Sequence, residues 1–166
     1  IGFVARHAMV TKVRGSFNEF EGSGHFDAED PAASRLELTI TAASIDTRNA
    51  DRDAHLRSND FFDMETYPQI RFVSTAVEQT GDDEYRVTGD LTIKGVTKPV
   101  TIDVEYDGAA VYPYGKQRIG LDGKTTVNRK DRGINWNAAL EAGGVLVGEK
   151  VTLEFEVSAI RTPDAT

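Results

Sequence analysis

The 166-residue chain predicts an all-β fold, an eight-stranded antiparallel barrel with a short helix over about residues 49–59 closing one end. Three observations predict it. Apolar and polar side chains alternate with a two-residue period through eight segments. Turn-forming pairs such as Gly81-Asp82 and Lys94-Gly95 separate some of those segments. Helical periodicity breaks the pattern in only two places. A strand with one apolar and one polar face needs a sheet that closes on itself or packs on another.

The elements follow in order. Residues 2–10 and 14–26 are rich in β-branched and aromatic side chains, with Gly15, Gly22 and Gly24 marking bends. Over 35–45, Leu36, Leu38 and Ile40 share one face and Glu37, Thr39 and Thr41 the other. The helix then begins after an N-cap at Thr47 or Asn49, with Asp53 and Arg57 spaced to pair across one turn. A strand at 70–74 sets Ile70, Phe72 and Ser74 against Arg71 and Val73. Over 85–93, Val87, Gly89, Leu91 and Ile93 oppose Arg86, Thr88, Asp90 and Thr92. Beyond the turn, Val100, Ile102, Val104 and Tyr106 repeat the alternation. Strands fit 117–127 and 151–160, where Val151, Leu153, Phe155 and Val157 share a face. A single helical turn over 137–142 ends at Gly143-Gly144. No repeat or linker interrupts the run, so residues 1–166 read as one domain.

Charge and composition narrow the function. The formal net charge is −8, which repels phosphate backbones. The densest basic cluster, Arg129, Lys130 and Arg132, has Asp131 in its midst, so no nucleic-acid partner is expected. The chain has no cysteine, which excludes disulfides, thiol nucleophiles and cysteine-ligated metals. No apolar run is long enough to span a bilayer as a helix, so no integral membrane segment is expected. No leader is visible ahead of Ile1. That points to a cytoplasmic protein, or to a periplasmic or secreted one if a leader precedes Ile1.

Few residues suggest chemistry. His55 lies among Asp51, Asp53, Asp60 and Asp63, a setting that could orient an acid–base imidazole, yet no nucleophile motif stands near it. The competing reading is a histidine that ties down a charged, solvated helix. Asn49, Asp51, Asp53 and Asp60 fall at calcium-loop spacing, but Ala54 stands where that loop needs glycine, so no metal site is expected. His7 shares a face with Phe3, Ala5 and Met9, and is either a hydrogen-bonded structural histidine or a polar contact for a ligand head group. An enzyme acting on a lipid-like substrate through His7 or His55 with a nearby Asp is the alternative to a binding role.

Volume is the remaining clue. Ala5, Ala42, Ser44 and Gly89 are small candidate inward residues, while Phe17, Phe61, Phe62, Phe72 and Trp136 could either fill the gap or line a channel. An eight-stranded barrel can be filled by side chains or hold one small guest. A bulky substitution of an inward small residue, for example Gly89→Trp, should abolish binding of a guest while sparing the fold.

The chain also resembles the YceI-like family of lipocalin-like polyisoprenoid binders. The resemblance is carried by Phe3-Val-Ala-Arg-His7, Gly15-Ser-Phe17, Phe20-Glu-Gly22 and Ser44-Ile-Asp-Thr47. It continues through Arg52-Asp-Ala-His-Leu-Arg57, Asp60-Phe-Phe62, Tyr67-Pro68 and Ile70-Arg-Phe72 with Ser74. Gly89-Asp-Leu-Thr-Ile-Lys-Gly-Val-Thr-Lys-Pro-Val100, Asn128-Arg129, Asp131 and Gly133-Ile-Asn-Trp136 complete it. The resemblance implies a barrel that holds an extended apolar lipid, a polyisoprenoid or isoprenoid quinone tail, without catalysis and without a cofactor or metal. It places Phe3, His7, Phe17, Phe72 and Trp136 at the pore. Inward alternation adds Ala5, Leu38, Ile40, Gly89 and Leu91. Phe61 and Phe62 would form the apolar underside of a helix carrying Arg52, His55 and Leu56 that closes one end. Transport, storage or stress protection, and a homodimer by family analogy, are the further expectations.

Overall fold

The computed structural model describes residues 1–7, 11–27, 29–111, 117–134 and 147–160. Ten strands form one antiparallel sheet. They are β1 (Gly2–His7), β2 (Thr11–Phe17), β3 (Phe20–His25), β4 (Arg35–Thr41), β5 (Ile45–Asp46), β6 (Gln69–Gln79), β7 (Glu84–Ile93), β8 (Val96–Val111), β9 (Gln117–Asn128) and β10 (Val147–Ile160). Their order across the sheet is β3-β4-β6-β7-β8-β9-β10-β1-β2-β5.

The two ends of that order belong to the same pair of chain paths. β2 runs on into β3 across Asn18 and Glu19, and β4 runs on into β5 through a 3-10 turn, Ala42–Ser44. β3 pairs with β4, and β5 pairs with β2. Asn18 N–H donates to the Ser44 carbonyl at 3.1 Å and Thr41 N–H to the Glu19 carbonyl at 3.0 Å, which stitches the corner between the two ladders. The sheet therefore curls round to meet itself at this corner, with each terminal strand paired along one edge, β3 on β4 and β5 on β2. The expected eight strands become ten because two paths are interrupted where they bend to close the ring. Sharp bending breaks the ladder, and the chain resumes pairing on the other side.

Strand lengths also differ from the alternation. The strand expected at 70–74 extends to Gln79, with a register shift between Ser74 and Ala76. The Ser74 hydroxyl at that irregularity accepts from the Leu36 N–H at 2.7 Å. Residues 100–106 are the middle of the much longer β8. The helical turn expected at 137–142 lies outside the described residues.

Helix α1 (Ala50–Arg57) is shorter than expected and is capped by Asn49, whose side chain accepts from the Arg52 N–H at 3.0 Å. The expected Asp53–Arg57 pairing is replaced by tertiary bonds. Asp53 is buried and accepts from both the backbone N–H and the hydroxyl of Thr47. Arg57 donates to the carbonyls of Ala43 and Ile45 at 3.1 and 3.2 Å. Arg52 reaches the Thr47 hydroxyl and carbonyl at 2.8 and 2.7 Å. The charged helix is thus moored to the sheet's corner by hydrogen bonds, not by an apolar stripe.

Two arginines complete the same end. The β8–β9 ladder ends at Asp103 opposite Lys124, and nearer the helix end the two strands separate. Arg132, only 2% exposed, donates to the carbonyls of Leu91, Val96 and Lys98. Thr125 donates its hydroxyl to the Thr101 carbonyl at 2.8 Å. Buried Arg129 donates to the Gly148 and Ile134 carbonyls, both at 2.8 Å. Main-chain carbonyls at this end of the barrel are thus bound by buried guanidinium groups. Beneath this cap pack Phe17, Ile45, Phe61, Ile70, Phe72, Leu91, Ile93 and Ile134.

Replacing Arg132 with Met keeps the apolar stem and removes the donors. The orphaned carbonyls should lower unfolding free energy by roughly 3 kcal/mol, read from a shifted urea midpoint with an unchanged m-value. An unshifted midpoint would show that the carbonyls find other partners.

Candidate functional site

Beyond the helix end the barrel wall carries an open cavity. A cavity of about 870 Å³ is bordered by Ile1, Gly2, Ser16 and Thr80 and by three consecutive residues from each of β7, β8, β9 and β10. Those four triplets are centred on Tyr85, Val104, Gly123 and Phe155. The cavity is open to solvent and lies along one side of the barrel, against these four neighbouring strands. Tyr85 pairs with Val104, Val104 with Gly123 and Gly123 with Phe155, so the inward side chains follow one line of the ladder. The alternate residues, Glu84, Arg86, Asp103, Glu105, Asp122, Lys124, Glu154 and Glu156, belong by strand alternation to the outer face and border the space through their main chain.

Phenylalanine rings and glycines are matched across the inner wall. Phe3 lies directly opposite Gly15, and Phe155 directly opposite Gly123. A Cβ on either glycine would overlap the facing ring. The Phe72 ring likewise covers Gly89, where a Cβ would also come within 2.6 Å of the Val73 carbonyl oxygen. Each ring therefore lies against the wall rather than projecting across the interior. The expectation for Gly89→Trp fails on this geometry: the position is already covered by Phe72 and hemmed by backbone, so the substitution would strike the sheet itself.

At the end away from the helix, Phe26 follows β3 and is 42% exposed. It stands edge-on to Tyr85 at 5.4 Å and stacks on Tyr106 at 6.1 Å between ring centroids. Tyr85 is at once part of this cluster and part of the cavity wall.

The residues expected at the pore occupy distinct places. Phe17, Ile40, Phe61, Phe72 and Leu91 are buried in the packed core. Phe3, Leu38 and Phe62 are half-buried against it, with Phe17 making ring contacts to Phe3 at 5.6 Å and Phe62 at 6.0 Å. Gly89 lies beneath Phe72, and Ala5 is half-buried opposite Val13 and Val151. The His7 side chain and Trp136 lie outside the described residues. The cavity itself is walled by Ile1, Tyr85, Val104, Gly123 and Phe155, which the sequence pattern had not singled out. Only the register, which sets Phe155 against Gly123, brings them together.

His55 stands at the helix end. Its Nε2 is 2.8 Å from Asp60 Oδ2, and its ring meets Phe61 edge-on at 5.1 Å. The calcium-like spacing is spent on structure, with Asn49 capping the helix and Asp53 bonded to Thr47. Among the described residues, Glu105, Asp107 and Asp122 bring carboxylate oxygens within 4.8 Å of one another on the outer wall. The hydrogen bond to Asp122, then desolvation and the surrounding negative charge, hold Asp107 above the usual carboxylate range. Burial lowers both Arg129 and Arg132, partly offset by Glu149 and Asp131 respectively. Glu149 is itself lowered by its 2.7 Å contact with Lys130. Among the described residues, no helix is long and apolar enough to cross a membrane.

Fold and cavity together define a lipocalin-like β-barrel protein with one end packed under a helix and an open cavity beyond it. The YceI-like domain model matches residues 1–159. A UPF0312 protein of Staphylococcus aureus is 42% identical over 158 residues, covering 95% of this chain and 88% of its own. The crystal structure of BcnA from Burkholderia cenocepacia superposes with a TM-score of 0.83 at 28% identity, covering 95% of this chain and 94% of that one. A polyisoprenoid binding domain from Saccharophagus degradans, implicated in plant cell wall breakdown, has a TM-score of 0.66 at 15% identity over 98% of this chain and 92% of its own, a likeness of fold. This chain belongs to the YceI-like family.

The acidic wall has a pH signature. Asp107 has a folded-state value raised above 3.8, so its stabilising contribution is complete below that pH and is lost as pH rises through the raised value. The melting temperature of Asp107→Asn minus that of the parent should therefore grow as pH climbs from below 3.8 toward neutrality. A difference that stays flat with pH would remove Asp107 from the account.

Proposed function

We propose that the barrel binds an extended apolar lipid, a polyisoprenoid chain or the isoprenoid tail of a quinone, in its hollow and does no chemistry on it. The observation that carries this reading is the cavity of about 870 Å³, plugged at the helix end and faced by Ile1, Tyr85, Val104 and Phe155. That volume falls within the range of about 300–1,000 Å³ usual for small-molecule sites. Each CH₂ removed from water contributes roughly 0.8 kcal/mol, so a slim hydrocarbon gains affinity from length alone, without a polar anchor. The fold-level likeness to a polyisoprenoid binding domain supports the same guest class. A catalytic reading has less support. His55 is engaged with Asp60 at the helix end, away from the cavity, and no histidine borders the cavity among the described residues. The proposed role is to carry, store or shield such a lipid.

Native mass spectrometry of the purified protein, paired with analysis of its organic extract, tests the proposal. One isoprenoid species per barrel is the expected result. Val104→Trp, at a buried position of β8 that borders the cavity, should lose the guest, with a melting curve recorded beside it to separate loss of the guest from loss of the fold. A parent protein that takes up no isoprenoid, even when incubated with farnesol, would overturn the proposal.

A further inference from the structure

Three glycines on the inner wall are each covered by a phenylalanine ring, but the three pairs occupy different settings. Gly89 and Phe72 are both in the packed core. At Gly15 an added Cβ would also meet the Thr47 methyl at 2.9 Å, so that pair is confined at the sheet's corner. Gly123 and Phe155 alone border the cavity, and the three atoms nearest to an added Gly123 Cβ all belong to the Phe155 ring. Phe155 is only half-buried, so one face of its ring looks into open space.

From this we infer that the Gly123–Phe155 pair sets the bore of the cavity and so determines which apolar guests it admits, an inference that rests on the lipid-binding proposal above. Glycine is needed at position 123 because only a missing side chain lets the ring lie flat against β9. Any Cβ there pushes the ring off the wall. The backbones of β9 and β10 are paired behind it, and free volume lies in front, so the ring swings into the hollow and narrows it. Removing the ring has the opposite effect and widens the passage. The two residues should therefore act as one unit whose substitutions are strongly non-additive.

Farnesol and retinol serve as probes, one a slim branched chain and the other carrying a wider ring. Each is titrated against the parent, Gly123→Ala, Phe155→Ala and the double variant. Gly123→Ala should weaken farnesol binding about tenfold, equivalent to about 1.4 kcal/mol. The double variant should return to within about twofold of Phe155→Ala, because the displaced ring is absent. Phe155→Ala alone should reduce the preference for farnesol over retinol by about tenfold, a comparison that stands even if Gly123→Ala does not fold. Parent-like farnesol binding by folded Gly123→Ala, a double variant as weak as Gly123→Ala, or unchanged selectivity in Phe155→Ala would overturn the inference while leaving lipid binding intact. A parent protein that binds neither probe would overturn both.

Discussion

Closure of the sheet is the constraint on which everything else depends. A single antiparallel sheet with alternating faces can bury its apolar side only by curling, and curling leaves two edges to be joined. Here the joining is done by bending two chain paths, β2 into β3 and β4 into β5, so that each contributes to both ladders at the corner. The short 3-10 turn and the bonds at Asn18 and Thr41 make that bend possible without leaving backbone groups unpaired. Once the corner is joined, the outer face can be highly acidic and the inner face apolar, and the edges left over are the short outer sides of β3 and β5.

Closing the ring creates a second problem at its ends. Near the helix, β8 and β9 diverge, and Arg132 and Thr125 supply the donors that the ladder does not. Arg52 and Arg57 moor α1 in the same manner, by carbonyls rather than carboxylates. The charges at this end are therefore structural. They hold a cap in place while Phe61 packs into the core beneath it. The other end has a lighter cover, the exposed Phe26 on Tyr85 and Tyr106. A packed end and an open cavity thus share one barrel, and the ring-on-glycine pairs keep aromatic bulk against the wall.

Much of this was legible in the alternation. The inward set Val87, Gly89, Leu91 and Ile93 is buried as the period requires, and the helix begins after Asn49 as its cap chemistry suggests. What escaped were features created by register and tertiary contact. Arg129 and Arg132 look like a solvated basic cluster in the sequence, yet both are buried on carbonyls that only the folded sheet brings near. Asp53 reads as a helix-surface acid and is instead the buried acceptor for Thr47. Gly89 looks like spare volume until Phe72 on β6 is placed over it. The hollow was invisible for the same reason. Composition says that small inward residues exist, but only pairing says which large residue covers each one.

The proposed role requires the cavity beside Tyr85, Val104 and Phe155 to take up an apolar chain. The most direct measurement is a crystal structure of the protein soaked with 1-bromododecane, with the halogen located by anomalous scattering. Uptake of the chain there gives a bromine peak among Tyr85, Val104 and Phe155. A lumen filled by collapsed side chains, with bromine found only on the outer surface, would contradict it.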